Sequence, residues 1–356
     1  MPTRHPWLDH IGLRYPIIQA PMAGVSTPAL AAAVSEAGGL GSLGIGASSP
    51  AQARDMLEAT RALTARPVNV NVFCHAPARR DAAREAAWVT HLAPLFAESG
   101  VAPPTRLEEI YPSFLSDDAT LALLLALRPA VVSFHFGLPD AHRLAALRDA
   151  GIALVATATC VEEAKRISVA GLDAVVAQGI EAGGHRGMFD PDATDERLST
   201  AVLVRQLVRT QDLPVIAAGG VMDGAGVAAM LDLGAAAVQM GTAFVLCPES
   251  SANAGYRARL AGDAAQHTRL TRVLSGRPAR GLVNRLMVHG EAAGSPAPAD
   301  YPVAYDAAKQ LNAAAAAQGC DDFAAHWAGQ GAPLARALPA AELVRTVVDE
   351  WQAARG

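Results

Sequence analysis

The chain has 356 residues, of which 51% are hydrophobic and 18% are charged, and its formal net charge is −5. This composition is typical of a globular protein with a large buried core, and the dispersed charges of both signs exclude an extended basic face for nucleic acid. The longest purely apolar run, residues 121–127, is too short to cross a bilayer. We therefore expect a protein with no membrane segment and no nucleic-acid partner.

The cysteines and the first residues indicate a reducing cytoplasm. The four cysteines are far apart and form no C-x-x-C pair, which argues against a metal centre or a disulfide framework; they are Cys74, Cys160, Cys247 and Cys320. The opening segment, MPTRHPWLDHIG, lacks the apolar core of a signal peptide. We predict a soluble cytoplasmic protein.

Apolar runs of strand length recur along the chain, and most are separated by amphipathic helical sequence. Several helical segments end in glycine, which adopts the left-handed conformation that terminates a helix. The runs are apolar on both faces, as a parallel sheet covered by helices requires. Strands are predicted at residues 15–22, 39–44, 67–73, 130–136, 152–158, 173–178, 214–220 and 236–242. Eight consecutive units predict an α/β fold, a (β/α)8 TIM barrel of about 250 residues, with an open doubly wound sheet as the alternative.

The barrel does not use the whole chain. We assign it to residues 1–246 and expect the last helix, in residues 336–356, to complete it. Residues 247–335 lie outside the repeat and are predicted to form a smaller helical insertion on the substrate side. Residues 75–114, together with Tyr301 and Tyr305, are expected to shape that side.

The segment GLGSLG, residues 39–44, matches the glycine spacing of dinucleotide-binding folds. In those folds the glycines follow a strand and open a helix, whereas here a predicted helix comes before them. We interpret these glycines as a helix cap and a thin strand that allows a ligand to approach closely.

Two glycine-rich loops predict a phosphate site. Gly219 and Gly220 lie at the end of the seventh predicted strand, and Gly241 and Thr242 lie at the end of the eighth. The loops after strands seven and eight of a TIM barrel commonly hold phosphate through backbone N–H groups, which needs no lysine. Asp223 is placed to cap the next helix. The alternative is that both are ordinary strand-to-helix turns, and their position at consecutive strand ends favours phosphate.

Amide side chains lie at or near other strand ends. Asn71, Gln178 and Gln239 can donate and accept hydrogen bonds, so they suit the edge of a flavin ring, although each could instead be an interior amide satisfied by its neighbours. Met22, in the turn QAPMAG, could lie against an aromatic ring or simply pack.

His185 is the candidate catalytic residue. It follows Gly183 and Gly184 after the sixth predicted strand, so the imidazole is expected over the mouth of the barrel, where its ordinary pKa suits proton transfer. His135 is a rival, but with phenylalanine on both sides it is at least as well explained as a satisfied core histidine. Arg186 could hold an anion or be solvated, and Glu181 could orient the loop.

The motifs QAPMAG, VNVF, SFHFG, QGIEAGGHRG, AAGGVMDG, VQMGTAF, SGRPARGLVNR and WAGQG together resemble those of the nitronate monooxygenases, also known as 2-nitropropane dioxygenases. The resemblance extends from about residue 15 to residue 336, and EAGGHRG with GRPARGLVNR is similar to the class I branch. It implies a TIM barrel that binds FMN, with His185 as the catalytic histidine. The residues that match FMN contacts are Asn71, Gln178, Gly183, Gly220, Gln239, Met240, Gly241 and Thr242.

The resemblance implies that an alkyl nitronate, notably propionate 3-nitronate, is oxidised by O2 with release of nitrite and a carbonyl compound. An NAD(P)H-dependent flavin reductase acting on quinones or enoyl thioesters is the alternative enzyme, and a silent flavin- or phosphate-binding protein is the alternative outside enzymes. The role of SGRPARG, residues 275–281, is left between substrate contact and a structural tie, with the tie favoured. The sequence also leaves the oligomeric state open, a homodimer being one candidate, and a role in detoxification is one open physiological setting.

Overall fold

The computed structural model describes residues 5–355, so residues 1–4 and 356 of the predicted barrel segments lie outside the described residues. Its strands are β1 (Ile17–Gln19), β2 (Gly41–Gly44), β3 (Val68–Phe73), β4 (Val131–His135), β5 (Ala153–Ala158), β6 (Ala174–Gln178), β7 (Gly184–His185), β8 (Val215–Ala218), β9 (Ala237–Met240), β10 (Thr268–Thr271) and β11 (Ala279–Leu282). Its α-helices are α1 (Pro6–His10), α2 (Pro28–Glu36), α3 (Pro50–Leu63), α4 (Ala82–Glu98), α5 (Asp118–Leu127), α6 (Ala141–Asp149), α7 (Val161–Val169), α8 (Thr200–Thr210), α9 (Gly224–Asp232), α10 (Ala254–Ala261), α11 (Arg285–Gly290), α12 (Val303–Ala316) and α13 (Ala340–Ala353).

Eight strands form one parallel sheet in the order β1-β9-β8-β6-β5-β4-β3-β2. The two end strands are joined through Leu40, whose N–H donates to the Ile17 carbonyl at 2.9 Å and whose carbonyl accepts the Gln19 N–H at 2.9 Å. Helices separate successive strands, and the apolar side chains of both layers form the main core. The predicted TIM barrel is confirmed, and each of the eight predicted strand segments contains one barrel strand.

Helix starts follow from local sequence. Thr27 and Ser49 precede prolines that begin α2 and α3, and each side chain accepts a backbone N–H of its helix's first turn. Asp223 caps α9 by accepting the Gly226 N–H at 2.8 Å, as the sequence predicts. Gly41 packs β2 against α2, because a Cβ there would lie 1.9 Å from the Ala31 carbonyl oxygen. This close packing, with a helix before the strand, agrees with the interpretation of GLGSLG as a helix cap and a thin strand.

A second hydrophobic cluster lies beside the barrel and combines distant parts of the chain. It contains Trp88, Leu92 and Phe96 of α4 together with Leu286 of α11 and Leu311 of α12. Helix α4 therefore packs against the later segment although the sequence assigns it to the barrel half. The division into a barrel of residues 1–246 and 336–356 and an insertion of residues 247–335 remains a prediction.

The sequence predicts a helical segment at residues 247–335, and the structure corrects this by placing β10 and β11 within it. These strands pair with each other in antiparallel fashion, and β11 also pairs with β7, where Ala279 lies opposite His185. Both strands are short and carry arginine, so neither has the apolar run of a barrel strand. The strand β7, which pairs with β11, contains only two residues, a length that no sequence pattern can indicate. Among residues 5–355, no helix has the length and apolarity needed to cross a bilayer.

Candidate active site

One cavity of about 770 Å³ lies where the barrel strands end, within the size range of small-molecule sites. Its wall contains ten of the residues predicted from sequence: Met22, Asn71, Gln178, Gly183, His185, Gly219, Gly220, Gln239, Gly241 and Thr242. The fold therefore brings the predicted cofactor residues and the candidate histidine to one place. Its lining also includes aromatic residues from the later part of the chain.

Met240 is the exception among the predicted residues. Its side chain is buried in the main core and does not line the cavity, whereas the neighbouring Gln239 does. The reason is the alternation of side chains along a strand, which sends consecutive residues of β9 to opposite faces. The Met240 carbonyl accepts the Ala20 N–H at 2.8 Å, so its backbone serves the sheet.

The glycine loops after β8 and β9 present unused backbone donors to the cavity. Gly219 and Gly220 have φ angles of 121° and 73°, which favour glycine. Within residues 5–355, the N–H groups of Gly219, Gly220 and Gly241 donate no hydrogen bond to the protein. Unpaired N–H groups in a concave loop before a helix form an anion site, so the loops suit a phosphate group. The Thr242 hydroxyl oxygen accepts the Gly329 N–H at 3.0 Å, which ties the WAGQG segment to this loop.

The three predicted amides differ in how much of their hydrogen-bonding capacity is free. Asn71 donates through Nδ2 to the Ser133 carbonyl and hydroxyl oxygens at 3.1 and 2.9 Å. Gln178 donates to the His185 carbonyl at 2.9 Å and accepts the Gly187 N–H at 2.8 Å, so its amide holds the histidine loop. Gln239 makes no side-chain hydrogen bond within the described part of the chain and is free for a ligand.

His185 lies in β7 at the cavity wall. Its Nε2 is 2.9 Å from the Ser275 Oγ, and its carbonyl accepts hydrogen bonds from Gln178 and His135. Burial is the main cause that lowers the pKa of His185 to about 3, and the nearby His135, Arg277 and His75 contribute to the same shift. The imidazole is therefore uncharged at neutral pH.

His135 has no free ring nitrogen. Its Nε2 lies 3.2 Å from the His185 carbonyl oxygen and its Nδ1 lies 3.1 Å from the Thr157 hydroxyl oxygen. A carbonyl can only accept, so Nε2 carries the proton and Nδ1 accepts from Thr157. Burial lowers the pKa of His135 to about 4, which keeps the ring neutral. His135 lines the cavity, but its hydrogen bonds fit the satisfied, structural alternative.

Arg186 neither binds a ligand anion nor faces solvent, so both sequence-based alternatives for it are wrong. The side chain is buried, and its guanidinium pairs with Asp195 at 2.9 Å while donating to the Gln178 and Gly179 carbonyls at 2.8 and 3.0 Å. A guanidinium with a carboxylate and two carbonyls around it is saturated. The Glu181 carboxylate accepts the Thr200 N–H at 2.9 Å and thereby fixes the loop at the start of α8.

Aromatic rings surround the His185 imidazole. The ring centroids of Trp327, Tyr301 and Phe136 lie 5.1, 5.4 and 5.6 Å from that of His185. Tyr301 therefore lies where the sequence predicts it, and so does Tyr305, whose ring lies 6.1 Å from His185. Such a wall provides apolar contact for a small substrate.

Lys309 is a site residue that the sequence analysis missed. Its ammonium lies 4.8 Å from the Tyr111 ring and 5.5 Å from the Tyr305 ring, at the cavity wall. Partial burial lowers its pKa, and Asp306 opposes that shift. The sequence does contain a signal for this residue, since only two of the 29 lysines and arginines are lysines, Lys165 and Lys309. An ammonium group at this wall can attract an anionic substrate.

Arg277, from SGRPARG, places a second cation near the histidine. Its guanidinium lies 4.2 Å above the Phe136 ring and donates to the Met188 carbonyl. Among the described residues it has no carboxylate within ion-pair distance, although it is almost fully buried. Burial lowers its pKa to about 10, so it stays charged at neutral pH. This unneutralised charge favours an anion in the cavity.

Comparison with known proteins shows the family of the chain. The nitronate monooxygenase family model matches residues 4–350. A nitronate monooxygenase of Paraburkholderia phytofirmans is 60% identical over 337 residues, which cover 95% of this chain and 92% of the relative. A nitronate monooxygenase of Pseudomonas aeruginosa is 58% identical over 340 residues, with 96% and 97% covered. The solved structure of a nitroalkane oxidase from Streptomyces ansochromogenes is 40% identical with a TM-score of 0.89, and 99% of each chain is covered.

These matches extend over nearly the full length of the chain, and the family model spans residues 4–350. On that basis the chain belongs to the nitronate monooxygenase family, a family of oxidoreductases.

Proposed function

We propose that this protein oxidises alkyl nitronates of the propionate 3-nitronate type with O2, using FMN bound in the cavity, and releases nitrite and a carbonyl product. The observation that carries the proposal is that one cavity combines free backbone donors, a neutral histidine and an ammonium group. Family membership supports the same substrate class.

The residues present fit FMN. The N–H groups of Gly219, Gly220 and Gly241 would hold its phosphate, because they are unpaired and lie at a helix start. The free amide of Gln239 and the amide of Asn71 can meet polar edges of a ring, and Met22 offers a thioether beside Gly241. When bound, FMN would take electrons from the substrate and pass them to O2.

The charges at the site suit a nitronate, which is an anion. Lys309 at the wall and Arg277 behind Phe136 supply positive charge, whereas His185 is uncharged at neutral pH. His185 could bind an anion when protonated or remove a proton when neutral, and its lowered pKa leaves it in the unprotonated form that the second role requires. His185 would thus take the α-proton of a neutral nitroalkane, and a nitronate would not need that step.

The test begins with the absorption spectrum of the purified protein, in which we expect bound FMN. Oxygen uptake and nitrite release are then measured with propionate 3-nitronate. In a parallel anaerobic experiment, the nitronate should bleach the flavin and NADH alone should not. No flavin after FMN addition, or rapid bleaching by NADH with no nitronate turnover, contradicts the proposal.

A His185→Ala variant tests the role of the histidine. With nitroethane we expect kcat/KM to fall by about 10²–10⁴-fold, the usual contribution of a general base. With ethyl nitronate the loss should be much smaller, because that substrate has already lost the proton. Equal losses with both substrates would argue for a structural role.

A further inference from the structure

The SGRPARG segment, residues 275–281, lies directly against the candidate histidine. Its last residues belong to β11, which pairs with β7, and Ala279 lies opposite His185. Its first residue, Ser275, is fully buried, and Ser275 Oγ is 2.9 Å from His185 Nε2. The segment therefore holds both the backbone and the ring of His185.

Ser275 Oγ has two further contacts, both with Arg277. The Arg277 carbonyl oxygen lies 3.2 Å away and can only accept a hydrogen bond. The Arg277 N–H lies 3.3 Å away and can only donate one. The hydroxyl has one proton and two lone pairs, so the three contacts can be satisfied in one way only: Ser275 donates to the carbonyl and accepts from both nitrogens.

This pattern selects a tautomer of His185. If Nε2 carries the proton, it donates to Ser275 Oγ and all three contacts are hydrogen bonds. If Nε2 lacks the proton, the hydroxyl must turn toward it, and the Ser275 and Arg277 oxygens then face each other 3.2 Å apart with no proton between them. Two buried acceptors in contact are unfavourable, so the first arrangement is preferred.

The other ring nitrogen then faces the cavity. His185 Nδ1 has no hydrogen-bond partner among residues 5–355, and it is not one of the fully buried polar atoms that lack a partner. His185 itself lines the cavity. The position of the ring is fixed at two points. The backbone carbonyl of His185 accepts hydrogen bonds from Gln178 and His135, and the ring atom Nε2 is hydrogen-bonded to Ser275.

We propose that Ser275 is a positioning residue that keeps the proton of His185 on Nε2 and so presents an unprotonated Nδ1 to the cavity as a proton acceptor. The catalytic consequence rests on the proposed function, whereas the placement of the proton does not. In the reaction, Nδ1 would gain the α-proton of a neutral nitroalkane, whose C–H electron pair remains on the substrate as the nitronate.

The direct test is NMR of protein labelled with ¹⁵N at histidine, with and without added FMN. His185→Gln assigns the signal by removing it. In the wild type we expect the proton on Nε2, and a wild-type proton on Nδ1 overturns the proposal even if no variant folds. Ser275→Ala should give a mixture of tautomers, whereas Ser275→Thr, which keeps the hydroxyl, should retain the wild-type pattern. An unchanged pattern in Ser275→Ala also overturns it.

Kinetics test the consequence. With nitroethane, Ser275→Ala should lower kcat/KM about tenfold, a part of the 10²–10⁴-fold that a whole general base contributes, and Ser275→Thr should restore it. With ethyl nitronate the Ser275→Ala enzyme should stay close to wild type. Equal losses with both substrates, or a wild-type enzyme inert toward nitroethane, would overturn the proton-accepting role. If the wild type lacks nitronate turnover altogether, the proposed function fails, and the NMR result still decides where the proton lies.

Discussion

The His135 Nε2 atom lies 3.2 Å from the His185 carbonyl oxygen, so one histidine side chain holds the backbone of the other. Thr157 fixes the orientation of this donor by hydrogen-bonding to His135 Nδ1 at 3.1 Å. Both rings line the cavity, but both ring nitrogens of His135 have hydrogen-bond partners, whereas His185 has one only at Nε2 among the described residues.

Removing the supporting ring should loosen the loop. In His135→Ala we expect amide exchange of residues 184–187 to rise about fivefold, which corresponds to the ~1 kcal/mol of one hydrogen bond. Hydrogen exchange with mass spectrometry measures this directly. The exposed His142 provides the matched control, and His142→Ala should leave the same peptide unchanged. Similar exchange in wild type and His135→Ala would refute the supporting role.

Gly220 should be required for the cofactor. A Gly220→Ala variant adds a methyl group to the loop and strains a backbone with φ of 73°, so we expect FMN affinity to fall at least tenfold, about 1.4 kcal/mol. Gly151→Ala is the control, because its φ of 78° imposes the same strain away from the cavity. Fluorescence titration of apoprotein with FMN measures both. A comparable loss of FMN affinity in the two variants would show that backbone strain is responsible, and not the change in the glycine loop after β8.

The Arg186–Asp195 pair should stabilise the loop, because the Arg186 side chain is only 1% exposed. Asp195→Asn leaves that cation without its carboxylate, and we expect unfolding free energy to fall by about 3 kcal/mol. Glu58→Gln makes the same chemical change in the exposed Arg54–Glu58 pair and should cost no more than about 0.5 kcal/mol. Urea denaturation compares them, and equal costs would contradict the structural role.

Lys309 should contribute to nitronate binding. In Lys309→Gln we expect KM for the nitronate to rise about tenfold, since a charge-assisted hydrogen bond is worth about 1.5 kcal/mol or more. The rise of the wild-type KM with ionic strength should also weaken in this variant. Lys165→Gln changes the other lysine, which is exposed on α7, and should behave as wild type. A KM that is unchanged in Lys309→Gln would remove this residue from the site.

Acid should destabilise the fold before its carboxylates are protonated. Burial lowers the pKa values of His75, His135 and His326 to about 4 and that of His185 to about 3, from the ordinary 6.5. Below pH 6.5 the unfolded chain binds protons that the native protein does not, so stability falls as pH falls from 6.5 to about 4. We expect a slope of at least about 1.4 kcal/mol per pH unit in urea denaturation. A flat profile over this window would rule the mechanism out.

The barrel and much of the site can be predicted because their signals are local. Strands buried on both faces produce continuous apolar runs, and the loops after β8 and β9 use adjacent glycines. The Met240 side chain does not line the cavity, because a contiguous motif ignores the alternation of side chains along β9, and the cofactor-binding role given to it stays a prediction.

The remaining site residues depend on contacts between distant segments. Ser275 meets His185 across 90 positions, and nothing in either local sequence indicates the pairing of β7 with β11. Trp327 and Lys309 reach the cavity only because the second hydrophobic cluster places α12 and the following segment beside the barrel. Composition offers one hint, the scarcity of lysine.

The 90-position gap between His185 and Ser275 also sets an order of assembly during synthesis. All eight barrel strands and both glycine loops leave the ribosome before Ser275 does. A nascent chain at that stage therefore contains both glycine loops, whereas the His185 imidazole does not yet have Ser275 as its partner. If the proposed function holds, the nitrogen that accepts the proton is fixed only when the last quarter of the polypeptide has been made.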